Sequence, residues 1–139
     1  MKTFKVALLA VIGVVIAFSS CSKYEEGPAI SLLTKKARIT GEWEVSDVIV
    51  NGTQLIDLSD FAGTMTFEKD GTGQYSQLGI SIDIEWEFSE EKEALRTRSN
   101  FLGSWSDWTE TEILKLENKE FWTTDTELGV TTEVHYTKI

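Results

Sequence analysis

Ile80-Ser81-Ile82-Asp83-Ile84-Glu85-Trp86-Glu87-Phe88 decides the fold. Five large apolar side chains alternate with four polar ones, as a strand with one buried and one wet face requires. Shorter runs of the same period lie at Trp43 to Val50, Met65 to Glu68 and Val130 to Tyr136. Turn signals separate them. Asn51-Gly52 closes the first run, Lys69-Asp70-Gly71 divides 64–68 from 73–78, and Ser89 to Glu93 divides 80–88 from 95–98. Glu117-Asn118-Lys119 divides 113–116 from 120–124, and Glu127-Leu128-Gly129 precedes the last strand. Asp70-Gly71 has the chemistry for positive φ in a tight hairpin. Eight strands result, near 43–50, 64–68, 73–78, 80–88, 94–99, 112–117, 120–125 and 130–137.

Eight short strands joined by hairpins must satisfy their edges, and closure into a barrel removes those edges. The expected fold is all-β: an antiparallel eight-stranded up-and-down barrel with a short N-terminal helix. A two-sheet sandwich competes, because a period of two fits both. The helix is expected within Ser31 to Ile39, with Ser31 as cap, Leu32, Leu33, Lys36 and Ile39 near helical spacing, and Thr40-Gly41 as its end. Two segments interrupt the short-loop rhythm. Gln54 to Phe61 reads as an irregular lid or a helical turn. Asn100 to Thr109 sets Phe101, Trp105 and Trp108 among Gly103 and several serines, which suits either a ligand mouth or the cover of a small core.

The N-terminus is composed differently. Lys2 and Lys5 precede an uncharged apolar run of 13 residues from Val6 to Phe18, followed by Ser19-Ser20 and the sole cysteine, Cys21. This is the order of a secretory signal over residues 1–20. As a helix the run rises about 20 Å, short of the roughly 30 Å hydrocarbon core. Cleavage before Cys21 removes 20 of 139 residues and leaves 119; losing Lys2 and Lys5 moves the formal charge from -10 to -12. That size suits one domain, and that charge disfavours nucleic acid and electrostatic attraction to an anionic membrane. One cysteine forms no internal disulfide.

Phe18-Ser19-Ser20-Cys21 resembles the bacterial lipobox, with Phe18 where Leu is usual. The resemblance implies a diacylglycerol on the Cys21 sulfur and an acylated amino group, several chains anchoring more durably than one. Ser22-Lys23-Tyr24-Glu25-Glu26 is similar to the export tether of Bacteroidetes-type lipoproteins, which implies the outer membrane and exposure at the cell surface; a plain solvated tether has the same composition. Residues 21–31, including Gly27 and Pro28, read as lipidated cysteine and flexible spacer, and residues 32–139 as the domain.

Gly41-Glu42-Trp43 after the helix resembles the Gly-x-Trp element of lipocalins and of the small lipocalin-like domains of Bacteroidetes envelope lipoproteins. By strand order the resemblance spans about residues 32–139; by specific residues it rests on Gly41 and Trp43. It implies a barrel whose tryptophan packs across the closed end beside the short helix. An interior of this size either fills with its own side chains or retains space for one small ligand. Trp43, Trp86, Trp122, Phe88 and the alternating isoleucines are the expected filling. Two functions stay open: a small apolar or amphipathic ligand inside the barrel, or a packed barrel that binds a protein or glycan through its surface.

Catalytic and metal chemistry find no constellation in the sequence. His135, the only histidine, is expected to face water opposite Val134 and Tyr136, without a recognisable serine or cysteine nucleophile. Glu85/Glu87, Glu90/Glu91 and Glu110/Glu112 read as solvated faces rather than hydrolytic pairs. Asp57, Asp60, Asp70 and Asp83 lack the density of a calcium loop, no Cys/His cluster suggests zinc, and Gly71 and Gly73 read as a hairpin rather than a phosphate loop. Arg96 and Arg98 alternate with Leu95 and Thr97, as on a solvated strand face. No enzyme activity, cofactor or metal site is expected.

Overall fold

The computed structural model describes residues 33–139. The export segment, Cys21 and the tether lie outside the described residues. The first element, α1 (Lys35–Ile39), is capped by Thr34, whose extended backbone lets its hydroxyl accept the Ala37 amide at 3.1 Å. The helix thus begins later than Ser31, and Leu33 is exposed while Ile39 is buried. At its end the Thr40 amide donates to the Lys36 carbonyl at 3.1 Å.

Eight strands form the wall: β1 (Gly41–Val50), β3 (Thr64–Phe67), β4 (Thr72–Gln77), β5 (Ile80–Phe88), β6 (Ala94–Phe101), β8 (Thr109–Leu116), β9 (Glu120–Glu127) and β10 (Val130–Lys138). Each pairs antiparallel with the next, and β10 returns to β1 in register from Trp43↔Lys138 to Val50↔Thr132. This closing pair decides for the barrel and against the sandwich, and the topology is lipocalin-like. Two short outer strands add to it: β2 (Thr53–Gln54) lies along β1 and β7 (Ser104–Trp105) folds back on β6. Among the described residues the wall ladder closes on itself without an open edge and encloses the core, which is what a segment that folds by itself requires.

One end of the barrel is packed shut. Ile39, Trp43, Phe67, Trp86, Leu116 and Phe121 form its centre, with the rings of Phe67 and Trp86 edge to face at 5.5 Å and those of Trp43 and Phe121 at 5.8 Å. Trp122 does not join them. Burial alternates along β9, so Phe121 and Thr123 point inward while Trp122 lies outside, stacked on His135 at 4.0 Å and beneath the Lys115 ammonium at 4.3 Å. Gly73 belongs to this interior rather than to a turn: a Cβ there would sit 2.1 Å from the Thr66 carbonyl oxygen and 3.0 Å from Ile84.

The connections follow expectation in part. Positive φ at the β3–β4 turn is confined to Gly71, while the Asp70 carboxylate accepts both the amide and the hydroxyl of Thr72, at 2.9 and 2.6 Å. Gln54 to Phe61, from the end of β2 onward, contains a 3-10 turn at Ser59–Phe61, the helical-turn alternative; Leu55, Leu58 and Phe61 are half-buried and Ile56 is fully exposed. Tight hairpins with consecutive positive φ values occur instead at Leu78-Gly79, Leu102-Gly103 and Leu128-Gly129, and Asn51-Gly52 turns the same way between β1 and β2.

Candidate functional site

Gly41 and Trp43 build the closed end. The indole Nε1 of the fully buried Trp43 donates to the Ile39 carbonyl at 2.7 Å, tying α1 to β1. Above the same ring, the Lys138 ammonium lies 4.8 Å from the centroid and donates to the carbonyls of Arg38 at 2.7 Å and Thr40 at 2.6 Å. Burial lowers the Lys138 pKa from its ordinary value. Gly41, at φ 129°, leaves room for this lysine, because a Cβ would approach its Cε to 2.9 Å. Arg38 adds a bond from Nη1 to the Leu116 carbonyl at 2.8 Å. Helix, first strand and last strand therefore lock together around one tryptophan.

Beyond that core, toward the other end, the interior opens into a cavity of about 290 Å³. Its apolar wall is Met65, Tyr75, Ile82 and Ile84, from β3, β4 and β5. Met65 pairs with Tyr75 and Tyr75 with Ile82, so the strand register sets these side chains on one inward row. Thr97, Ser99, Ser106 and Thr109 line the adjoining side, on β6 and the chain that follows it, with Arg98 at its border. Ser106 is held there by its amide, which donates to the Ser99 carbonyl at 2.9 Å, and by its Oγ, which accepts the Ser99 amide at 3.1 Å. An apolar wall beside a few hydroxyl-bearing residues is the usual build of a small-molecule pocket.

The three aromatic residues suggested as a mouth are distributed differently from the cavity lining. Phe101 is exposed near the β6–β7 turn. Trp105 and Trp108 come together around Arg98, whose guanidinium carbon lies 5.0 and 4.8 Å from their ring centroids. Arg96 also lies 5.2 Å from Trp108. The same arginines face the alternating acids of β5: Arg98 Nε donates to Glu85 at 2.7 Å, and Arg96 pairs with Glu87. These rings clamp an arginine–glutamate ladder on the polar face of β5 and β6. Within this loop, Ser106 and Thr109 reach the cavity wall. Small hydroxyl residues in an aromatic loop give little sequence signal.

His135 sits on the outer face between Trp122 and two acids, with Nε2 at 2.5 Å from Glu133 Oε1 and Nδ1 at 3.9 Å from Asp47 Oδ2. Among the described residues, no group of three His, Cys, Asp or Glu side chains could hold a metal ion. A larger depression of about 540 Å³ lies by the β5–β6 turn, but Glu90, Glu91, Glu93, Glu110, Glu112 and Asp125 line it. Its polar, carboxylate-rich wall makes the smaller interior cavity the better candidate for an apolar ligand. Among the described residues, no helix is long and apolar enough to cross a membrane. No protein-family model matches the chain, and no curated protein matches it.

Proposed function

We propose that the chain is an exported, lipid-anchored bacterial envelope protein of lipocalin-like type that binds a small apolar or amphipathic ligand and catalyses no reaction. The observation that carries the binding reading is the interior cavity of about 290 Å³, apolar on β3 to β5 and hydroxyl-lined on β6 and the following loop. At about 30 Å³ per water-sized group, it takes on the order of ten heavy atoms, the scale of a medium-chain alcohol or acid. Cys21, after its basic, apolar and small-residue segments, supports the anchor, and Ser22 to Glu26 supports surface export.

Calorimetric titration of residues 33–139 with octanol tests the pocket. Saturable one-site binding that disappears in Ser99→Phe, with the fold retained by circular dichroism, is the expected result; no binding, or equal binding in the variant, defeats it. Mass spectrometry of membrane-extracted protein tests the anchor: acylated Cys21 with residues 1–20 removed is expected, and an intact, unmodified N-terminus refutes it. Protease accessibility on whole cells tests the surface location. The second reading, surface recognition of a glycan or protein, draws support from Trp105, 40% exposed beside Arg98 on the outer wall. Glycan-array binding that Trp105→Ala abolishes would favour it.

A further inference from the structure

Strand polarity sorts the barrel's connections into two ends of opposite chemistry. At the end closed by α1 lie the β3–β4, β5–β6 and β8–β9 turns, containing Lys69-Asp70, Glu90-Glu91-Lys92-Glu93 and Glu117-Asn118-Lys119. At the other end the β4–β5, β6–β7 and β9–β10 hairpins repeat one device, a Leu-Gly pair at the apex. Leu78, Leu102 and Leu128 are 90, 91 and 99% exposed. Each has a second exposed apolar residue next to its Leu-Gly pair: Ile80, Phe101 and Val130. Over residues 76–81, 100–105 and 126–131 the only charged residue is Glu127, in a chain that is 26% charged.

The turn geometry makes the leucines costly. Leu78, Leu102 and Leu128 have φ of 50, 53 and 49°, the left-handed region that Gly, Asn and Asp tolerate and branched apolar residues rarely adopt. Asn51-Gly52 makes the same turn at the same end with the favourable residue. Folding is therefore served better by Asn at all three apices, and exposure in water also disfavours leucine there. An exposed apolar cluster of this kind marks an interaction surface.

We infer that this end of the barrel inserts its three leucine apices into the interfacial layer of an uncharged lipid bilayer. The apices are separate convex projections with almost wholly exposed side chains, which a deformable apolar layer can surround without a matching set of pockets. The lack of basic residues at the three apices fits neutral headgroups and hydrophobic contact rather than electrostatic capture, and the exposed Asp57 and Asp60 of the β1–β3 connection at the same end disfavour anionic ones. Chain length permits the geometry together with the proposed anchor: Cys21 to Leu33 spans twelve residues, at most about 40 Å, while a nine-residue strand such as β10 rises about 30 Å. The inference itself does not need that anchor. Docked in this way, the barrel turns the end nearest its cavity toward the lipid.

The test uses residues 33–139, without the apolar leader or the lipid, and vesicles of phosphatidylcholine and phosphatidylethanolamine. The comparison is with Leu78→Asn/Leu102→Asn/Leu128→Asn, whose Asn-Gly apices preserve the turns. Flotation should recover the parent domain with vesicles, insensitive to salt, and the triple variant should partition about 100-fold less, taking half of the full-burial value for each leucine. Unfolding midpoints equal to or above the parent's exclude a folding defect. Failure of the parent to float, or equal flotation of the variant, overturns the inference. A leucine-dependent dimer in sedimentation velocity without vesicle binding also overturns it, in favour of a second copy as occupant. Octanol binding in the calorimetric test is read separately, so loss of the pocket reading leaves this result interpretable.

Discussion

Trp43→Phe removes one indole N–H and part of one ring from the fully buried closed end of the barrel. The N–H is the 2.7 Å donor to the Ile39 carbonyl, so the substitution deprives a buried acceptor of that partner, at about 1–3 kcal/mol. The missing ring edge, next to Phe121 and beneath Lys138, adds about 1 kcal/mol of lost packing. The expected loss is therefore about 3 kcal/mol, or roughly 12–20 °C in Tm for a domain near this size. Urea unfolding of residues 33–139 followed by far-ultraviolet circular dichroism measures it directly. Lys138 holds the carbonyls on either side of Ile39, so the effect of Trp43→Phe should be coupled to Lys138→Met by at least about 0.5 kcal/mol in a double-mutant cycle. A loss below about 1 kcal/mol, or strict additivity with Lys138→Met, would refute the view that this tryptophan pins the helix to the sheet.

Gly73→Ala forces a Cβ to 2.1 Å from the Thr66 carbonyl, which the β3–β4 ladder cannot move aside freely, so calorimetry should show about 3 kcal/mol of destabilisation. Tyr136 is half-buried overall but its hydroxyl is surrounded by protein, and this burial raises its pKa above the ordinary tyrosine value. The folded state then holds a proton that the unfolded state releases. Stability should fall as pH rises past about 10, and Tyr136→Phe should flatten that slope in urea titrations. Lys138, with its pKa lowered, contributes the opposite slope just below the ordinary lysine value, which is why the comparison keeps Lys138 in both proteins. Arg98→Ala releases Trp105 and Trp108; amide exchange over 104–108 should quicken at least about tenfold while global stability changes by under about 1 kcal/mol, because the ion pair with Glu85 is solvent-screened.

Alternation over Ile80 to Phe88 was sufficient to locate β5 and its wet face, because a strand's side chains must alternate whatever surrounds it. Three further wall strands were legible on the same ground, and turn signals between the runs placed the other four. Turn type was less legible. Asp70-Gly71 carries a favourable hairpin pair, yet Asp70 uses its carboxylate to bind Thr72, while leucine takes the left-handed position in three other hairpins. Trp122 shows the limit of composition: a large ring suits a core, but its place on β9 between the inward Phe121 and Thr123 puts it outside.

By itself the sequence determined the eight wall strands, the buried face of the clearest one, and the glycine–tryptophan pair that organises the closed end. The tertiary structure decided the rest. Closure depends on the pairing of β1 with β10, whose paired residues Trp43 and Lys138 lie almost the whole domain apart in the chain. The cavity exists where the inward row of Met65, Tyr75, Ile82 and Ile84 continues onto Ser99 of the neighbouring strand β6 and Ser106 of the loop beyond it, a juxtaposition that strand pairing and no local pattern sets. The apolar character of one end also emerges only when antiparallel order brings Leu78, Leu102 and Leu128 to the same side. Local patterning sets which way a side chain points, whereas long-range pairing sets what it meets.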